Sequence, residues 1–242
     1  KLVSFWDGET PLACLTYYAT HPQSFYGKGD VTAEFVGLAR AQREKALNLR
    51  HIHFNGASGN VAAGKYNNGS PEARLVLTQR MADGMKRAWE ATKKSPISAS
   101  DLNWRVERVK LPFAASLNRE VLEKTLADTA ASDRDRLNAS TKLALLNRSE
   151  AGHQFELTRL RIGNVNVLHM PGELFVEYQL AAQQMKPDAT VCMAAYGDYA
   201  PGYIGTEIAY TQGGYEVQAS SSNTAPTVEK VLMDAMRRLL LD

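Results

Sequence analysis

Short apolar runs alternate with longer helical segments along the chain, and this alternation constrains the fold more than any other feature. Leu12 to Ala19 and Thr190 to Tyr196 are continuous apolar runs with the length of strands buried on both faces. Helices are predicted over 31–47 and 70–93, with Asp30 and Ser70 as their N-caps. Such an alternation predicts an α/β fold, here a layered mixed sheet flanked by helices.

The other segments complete the predicted order of elements. Hairpins are expected to turn at Asp7–Gly8 and at Gly163–Asn164. We predict a short strand over 50–55 and a strand of alternating pattern over 102–113. Two helices are expected in the polar stretch 118–148, another that starts at Glu173 over 173–186, and a final amphipathic helix over 226–241. Because the chain shows no internal repeat and no linker, we predict one α/β domain over 1–242.

Composition narrows the classes of function. A chain of 242 residues, 44% hydrophobic and 22% charged, can bury a full core as one domain. Its 28 basic and 26 acidic residues give a net charge of +2 without a basic stripe, so a nucleic-acid partner is not predicted. Both cysteines, Cys14 and Cys192, lie in apolar runs and are expected to be buried free thiols. No apolar run reaches the ~18 residues of a transmembrane helix.

Polar side chains gather where the predicted strands end. The loops at 20–30, 56–69, 171–173 and 197–216 each follow a predicted strand. In open α/β sheets the carboxyl ends of the strands form the rim where ligands bind. His21, which precedes Pro22, and Glu173, expected in the first turn of a helix, are therefore the strongest candidate site residues.

Three other patterns leave alternatives open. Residues 59–65 fit the phosphate-loop pattern G-x-x-x-x-G-K, but Tyr66 stands where a Ser or Thr hydroxyl would hold magnesium. His51 and His53 share one face of a strand, which fits either a metal pair or ordinary polar residues. His169 could line the rim beside Glu173 or serve as a hydrogen-bonded structural residue.

Tyrosine is concentrated in the last rim loop. The stretch from 196 to 215 holds five of the chain's ten tyrosines: Tyr196, Tyr199, Tyr203, Tyr210 and Tyr215. Dense tyrosine in a long Gly-containing loop is more typical of a binding surface than of loop packing.

The ordered set of these motifs resembles the neutral/alkaline, non-lysosomal ceramidase family. The matching motifs are Tyr-Ala-Thr-His21-Pro, Gly59-Asn60-Val61, Met-Pro-Gly-Glu173 and the stretch from Gly-Tyr203-Ile-Gly-Thr to Tyr215-Glu. That family consists of zinc hydrolases that cleave the amide of N-acylsphingosine. The resemblance implies His21, Glu173 and Tyr203 as zinc ligands, Tyr203 and Tyr215 as catalytic residues, and Tyr215, Asn60 and Ala62 at the substrate.

Two departures from the family pattern accompany this resemblance. The family's first metal histidine lies in an upstream segment that would precede Lys1, so we expect the chain to be a fragment that lacks its N-terminal part. We expect the isolated chain to be metal-poor or inactive, with the upstream segment as its partner. Ala62 stands where the family has a serine implicated in ceramide hydrolysis.

The resemblance therefore predicts a zinc-dependent hydrolase of a linear amide, either an N-acyl lipid or a related small molecule. Such an enzyme would contact a membrane surface transiently, and the family implies a secreted or periplasmic location. Two alternatives stay open: a non-catalytic, degenerate ligand-binding relative, and a nucleotide hydrolase with a phosphate loop.

Overall fold

A computed structural model describes residues 1–241. The strands are β1 (Leu2–Asp7), β2 (Thr10–Tyr18), β3 (His51–Asn55), β4 (Leu102–Val109), β5 (Phe155–Ile162), β6 (Val165–His169), β7 (Glu173–Leu174), β8 (Thr190–Ala194) and β9 (Tyr203–Ile204). The α-helices are α1 (Glu34–Leu47), α2 (Pro71–Glu90), α3 (Arg119–Ala127), α4 (Asp133–Glu150), α5 (Val176–Met185), α6 (Glu207–Gln212) and α7 (Val228–Leu241). The predicted α/β class is confirmed.

The strands form three sheets. The first has the order β1-β2-β3, with β1 and β2 antiparallel and β2 and β3 parallel. The second has the order β4-β5-β6-β8, in which β6 and β8 are parallel. The third is the short parallel pair β7-β9. The carboxyl ends of the two long parallel pairs give the molecule the polar rim that the sequence predicted.

The main core lies between the second sheet and the helices packed on it. Leu157 and Leu168 of that sheet are fully buried with Leu232 and Met236 of the amphipathic helix α7. A second cluster joins the first two sheets through Val3, Tyr17, Val167, Cys192 and Ala194. Cys14 and Cys192 are buried free thiols, as predicted. No helix within residues 1–241 is long and apolar enough to cross a membrane.

The start of α1 differs from the prediction. The helix begins at Glu34, not at residue 31, and Asp30 does not cap it. Glu34 has a positive φ of 54°, and its carboxylate accepts hydrogen bonds from Ser24 and from the backbone N–H of Phe25. These contacts fix the loop that follows His21 to the first residue of the helix.

The strand β2 is less buried than its apolar sequence suggests. Leu12 and Tyr18 are 55% and 52% exposed, so β2 is not covered on both faces within the described part of the chain. In contrast, the N-cap Ser70 of α2 is confirmed, because its side chain accepts a hydrogen bond from the Ala73 N–H at 3.1 Å. The two helices predicted in 118–148 are also present as α3 and α4.

His51 and His53 form a buried polar cluster with Thr16 of the neighbouring strand. The Thr16 hydroxyl lies 3.0 Å from Nε2 of His51 and 3.0 Å from Nδ1 of His53. Burial lowers the pKa of His51 to about 4, and the positive charges of Arg40 and Arg43 act in the same direction. Burial also lowers the pKa of His53 to about 4. Both imidazoles are therefore neutral at neutral pH and serve the packing of β2 on β3.

This cluster predicts a loss of stability in acid. The unfolded histidines take up protons near pH 6.5, whereas the folded ones resist protonation down to about pH 4. The unfolded state therefore binds more protons between these values, and the free energy of unfolding falls as the pH decreases from about 6.5 to 4. We expect a decrease of about 2–3 kcal/mol for each of the two histidines, measured by urea unfolding at a series of pH values.

Matched variants separate the two buried histidines from other groups that titrate in acid. His53→Gln should reduce the slope of stability against pH in this range by more than His153→Gln, which makes the same chemical change at a side chain that is 37% exposed. An equal slope in the wild type and in His53→Gln would show that the cluster does not govern acid unfolding.

Candidate functional site

The rim places four loops side by side. Because β2 and β3 are parallel and β6 and β8 are parallel, the segments that follow them leave the sheets at the same edge. His21 follows β2, the loop from Gly56 follows β3, Glu173 follows β6, and the tyrosine-rich loop follows β8. The structure thus brings together the segments that the sequence predicted to form one site.

His21 is held from both its backbone and its ring. Its backbone N–H donates to the carbonyl oxygen of Val61 at 2.9 Å, and its Nδ1 lies 3.1 Å from the same oxygen. Its Nε2 lies 2.9 Å from Oε2 of Glu173 and 3.2 Å from the hydroxyl of Tyr203. The three residues proposed from the sequence as metal ligands therefore converge on one point.

Glu173 belongs to a strand, which corrects the prediction that it begins a helix. It is the first residue of β7, and α5 starts only at Val176. Glu173 pairs with Tyr203 of β9, and the Glu173 N–H donates to the Gly202 carbonyl oxygen at 2.9 Å. Directly paired residues project to the same face of a sheet. This pairing, and not a helix dipole, places the Glu173 carboxylate beside the Tyr203 hydroxyl.

Gly59 locks the loop after β3 onto β7. Its N–H donates to the Leu174 carbonyl oxygen at 2.8 Å. A Cβ atom at this position would lie 2.4 Å from the backbone oxygen of Glu173, so only glycine fits. The same loop carries Val61, the residue whose carbonyl oxygen holds His21. The position of His21 therefore depends on how closely this loop approaches β7.

Tyrosines surround the carboxylate of Glu173. The hydroxyl of Tyr199 donates to Oε1 of Glu173, and that of Tyr196 lies 2.7 Å from the Ser58 hydroxyl. Tyr215, 62% exposed, packs edge-on against the Tyr203 ring with 5.9 Å between centroids. The sequence indicated this loop by its tyrosine content but did not assign Tyr199 to Glu173, because no spacing rule links these two positions.

Two predicted substrate residues lie on the same loop as Val61. The Asn60 amide accepts from the Val176 N–H at 2.8 Å and donates to the Glu177 carboxylate at 2.9 Å, so it caps the first turn of α5. Ala62 lines an apolar cavity of about 490 Å³ between β2 and the helices α1 and α2. A role for either residue in substrate binding stays a prediction.

The contacts of the site shift the pKa values of His21 and Glu173 in opposite directions. The hydrogen bond with Glu173 raises the pKa of His21, although burial opposes this. Burial disfavours the ionised form of Glu173, but hydrogen bonds from His21 and Tyr199 outweigh it and hold its pKa below the usual range. Burial and the neighbouring carboxylate raise the pKa of Tyr203. Negative charge is thus concentrated on Glu173.

The donor atoms fit a zinc ion. Nδ1 of His21 faces a carbonyl oxygen, which only accepts hydrogen bonds, so Nδ1 carries a proton. Nε2 faces the Glu173 carboxylate and the Tyr203 hydroxyl, where it can be protonated, accept from Tyr203 or bind a cation. Histidine nitrogen and carboxylate oxygen are ordinary zinc ligands, and tetrahedral zinc with ~2.1 Å bonds separates its ligand atoms by about 3.4 Å. The observed separations from Nε2, 2.9 and 3.2 Å, are close to this value. The Val61 carbonyl provides the partner that zinc-bound histidines commonly have on their other nitrogen.

Other candidate sites receive no support. Within residues 1–241, no group of three or more His, Cys, Asp and Glu side chains is placed to hold a metal. The phosphate-loop pattern ends in a short 3-10 helix, Gly64–Tyr66, and α2 starts only at Pro71, so the loop lacks the helix N-terminus that binds phosphate. His169 bonds Thr158 at 3.0 Å as a structural residue.

The approach of Gly59 to β7 generates a prediction. Gly59→Ala should displace the loop that carries Val61, because the new methyl group overlaps the Glu173 carbonyl. We expect a loss of about 1–3 kcal/mol in unfolding free energy, measured by urea denaturation. Gly64→Ala is the matched control, since its Cβ would meet only the Tyr26 hydroxyl at 3.9 Å. Equal stability of the two variants would contradict the close packing assigned to Gly59.

Comparison with known proteins supports the same fold. No protein-family model and no curated protein matches the sequence. A solved ceramidase in complex with C2 is similar in structure, with a TM-score of 0.70 and 13% identity over 99% of this chain and 47% of its own. The neutral ceramidase from Pseudomonas aeruginosa has a TM-score of 0.67 and 14% identity, over 98% of this chain and 46% of its own.

The chain thus spans about half the length of these solved structures. The resemblance inferred from short motifs and the similarity of the backbone agree, although so few residues are identical. The α/β fold described here is therefore that of about half of each of these solved ceramidases.

Proposed function

We propose that this chain carries most of the active site of a zinc-dependent hydrolase of the ceramidase type, which cleaves a linear amide bond in an N-acyl lipid or a related small molecule. The observation that carries the proposal is the convergence of His21 Nε2, Glu173 Oε2 and the Tyr203 hydroxyl within 3.2 Å. The ordered motifs and the shared fold support the reaction class, and the donor atoms support the metal.

His21, Glu173 and Tyr203 would hold the ion. When bound, zinc lowers the pKa of a coordinated water to about 7 and polarises the scissile carbonyl. The Nδ1–H of His21 donates a hydrogen bond to the Val61 carbonyl oxygen, which leaves Nε2 as the nitrogen that would bind the metal. Tyr199 holds Oε1 of Glu173 and leaves Oε2 directed at His21.

Tyr203 and Tyr215 are proposed to position the amide. Their rings pack edge-on with 5.9 Å between centroids, and Tyr215 is 62% exposed, so Tyr215 is accessible to a substrate that approaches from solvent. A phenol hydroxyl can donate to the oxygen that becomes negative in the tetrahedral intermediate. Ala62 lacks the hydroxyl of the corresponding family serine, so the preferred substrate is proposed to differ from ceramide.

A further zinc ligand from a segment outside these 242 residues is part of the proposal. Catalytic zinc sites use three protein ligands with an open position for water, and a phenol is a weaker ligand than a thiolate or an imidazole. The similar solved structures are about twice as long as this chain, which leaves room for such a segment in the intact protein.

Ala62 also favours a second candidate function, a ligand-binding relative without catalysis. A relative of this kind would keep the rim and the metal ligands but would lack the hydroxyl at this position. The two candidates differ in turnover and not in ligand affinity, so an assay of hydrolysis separates them.

The proposal predicts that Glu173→Gln in the intact protein reduces both zinc content and hydrolysis of short-acyl amides. The neutral amide is a poorer zinc ligand than a carboxylate. The loss of zinc affinity and of activity should therefore exceed the ~10- to 100-fold loss that follows removal of a residue that only supports a ligand. Tyr199→Phe, which removes such support, should reduce zinc affinity by about 10- to 100-fold. Zinc is measured by mass spectrometry and hydrolysis by release of the free amine.

Glu90→Gln is the matched control, because Glu90 has an exposed side chain at the end of α2 and makes the same chemical change. Unchanged hydrolysis and zinc content in Glu173→Gln would refute the assignment of the metal site. Full zinc content without turnover of any short-acyl amide by the wild type would favour the binding relative.

A further inference from the structure

A basic cavity lies on the second sheet, away from the rim. Its volume is about 430 Å³, and it opens between the Gly163–Asn164 turn and the end of α7. The polar side chains that line it are Asn103, Arg105, Arg159, Arg161, Asn164, Asn166 and Lys186. The basic cavity shares none of these residues with the candidate active site.

Strand register brings the three arginines together. Arg105 of β4 pairs directly with Arg159 of β5, and Arg161 pairs with Asn103 on one side and Asn166 on the other. Residues paired across strands, and residues two apart along a strand, lie on the same face. The pairing of the strands therefore places the three arginines next to one another. Like charges on paired strands destabilise a sheet.

The arginines and the lysine of the basic cavity form no salt bridge in the described chain, although the charge of Arg161 is among the causes that lower the pKa of the Asp101 carboxyl. Within residues 1–241, no salt bridge involves Arg105, Arg159, Arg161 or Lys186. Arg159 donates to the Asn103 oxygen at 2.6 Å, and Lys186 donates to the Leu240 carbonyl oxygen at 3.1 Å. These acceptors are neutral, so the cavity keeps an excess of cationic charge.

Burial makes the unpaired positive charge of the basic cavity energetically unfavourable. Arg159 is only 7% exposed, and its Nε, like that of Arg161, is buried without a hydrogen-bond partner among the described residues. Asn166 is 1% exposed and its Oδ1 has no partner there either. Burial lowers the pKa of Arg159, and the charges of Arg105 and Arg161 lower it further. Buried charged groups are normally paired with an opposite charge, so the buried guanidinium of Arg159 indicates a binding site for an anion.

We propose that the basic cavity binds a phosphate group, as a monoester or a diester, between Arg105, Arg159 and Arg161. Planar guanidinium groups match phosphate oxygens with paired hydrogen bonds. A phosphate monoester carries up to two charges and three acceptor oxygens, which suits three arginines better than a single carboxylate does. The cavity is larger than phosphate alone, so the group is carried by a soluble metabolite or a lipid headgroup.

The test is a calorimetric titration of inorganic phosphate into the full chain at constant ionic strength, which removes general screening effects. We expect saturable binding at one site, and a decrease in affinity of about 10-fold or more in the Arg105→Gln/Arg161→Gln double variant. Arg108→Gln is the matched control, because Arg108 is on the same strand but pairs with Glu156 at 2.8 Å. Its phosphate affinity should equal that of the wild type.

Thermal unfolding without phosphate checks that the double variant folds. Relief of the repulsion between arginines should leave its melting temperature equal to or above that of the wild type. If the double variant does not fold, Arg161→Lys replaces it, since lysine keeps the charge but loses the paired hydrogen bonds, and weaker phosphate binding is again expected. Equal phosphate affinity in a folded variant and the wild type, or no saturable binding by the wild type, overturns the proposal.

Two further arms identify the source of the phosphate. Sedimentation with phosphatidylcholine vesicles that depends on added phosphatidic acid and on Arg161 supports a lipid headgroup, whereas binding of inorganic phosphate alone supports a soluble ligand.

Asp242 lies outside the described residues, and Asp242→Asn controls for its carboxylate. Phosphate binding that appears only in this variant contradicts the proposal for the natural chain.

Discussion

The pairing of β7 with β9 is the constraint on which the candidate site depends. These strands have only two residues each, yet they set the carboxylate of Glu173 beside the hydroxyl of Tyr203. Gly59 then brings a third segment against β7, and through Val61 that segment fixes His21. Three segments far apart in sequence are thus joined by backbone hydrogen bonds, and the side chains meet as a consequence.

In this arrangement, the residues that fix the backbone of the site differ from those proposed to act on a substrate. The backbone hydrogen bonds at the rim are supported by a core of fully buried side chains, with the Tyr178 hydroxyl tied to the Gly205 carbonyl oxygen at 2.9 Å between α5 and the tyrosine-rich loop. Of the groups proposed to act on a substrate, Tyr203 belongs to β9, and Tyr215 packs against its ring and is 62% exposed. Sites supported in this way hold their ligand atoms within narrow limits, which zinc catalysis requires.

The sequence predicted the elements whose signals are local. Ser70 and Pro71 marked the start of α2, and alternation with helices indicated the α/β class and the rim. It misplaced the start of α1, because the contacts of Glu34 with Ser24 and Phe25 are tertiary and override the Asp30 signal. It also placed Glu173 in a helix, since a two-residue strand has no periodicity of its own. The link between Tyr199 and Glu173 could not be predicted, because residue spacing does not reveal side-chain contacts between loops.

The most direct test of the zinc site is an anomalous diffraction map of the intact protein, recorded from crystals at the zinc absorption edge. We expect a peak within about 2.3 Å of His21 Nε2, Glu173 Oε2 and the Tyr203 hydroxyl. A zinc peak elsewhere, or zinc-containing crystals in which His21 and Glu173 remain directly hydrogen-bonded, would contradict it.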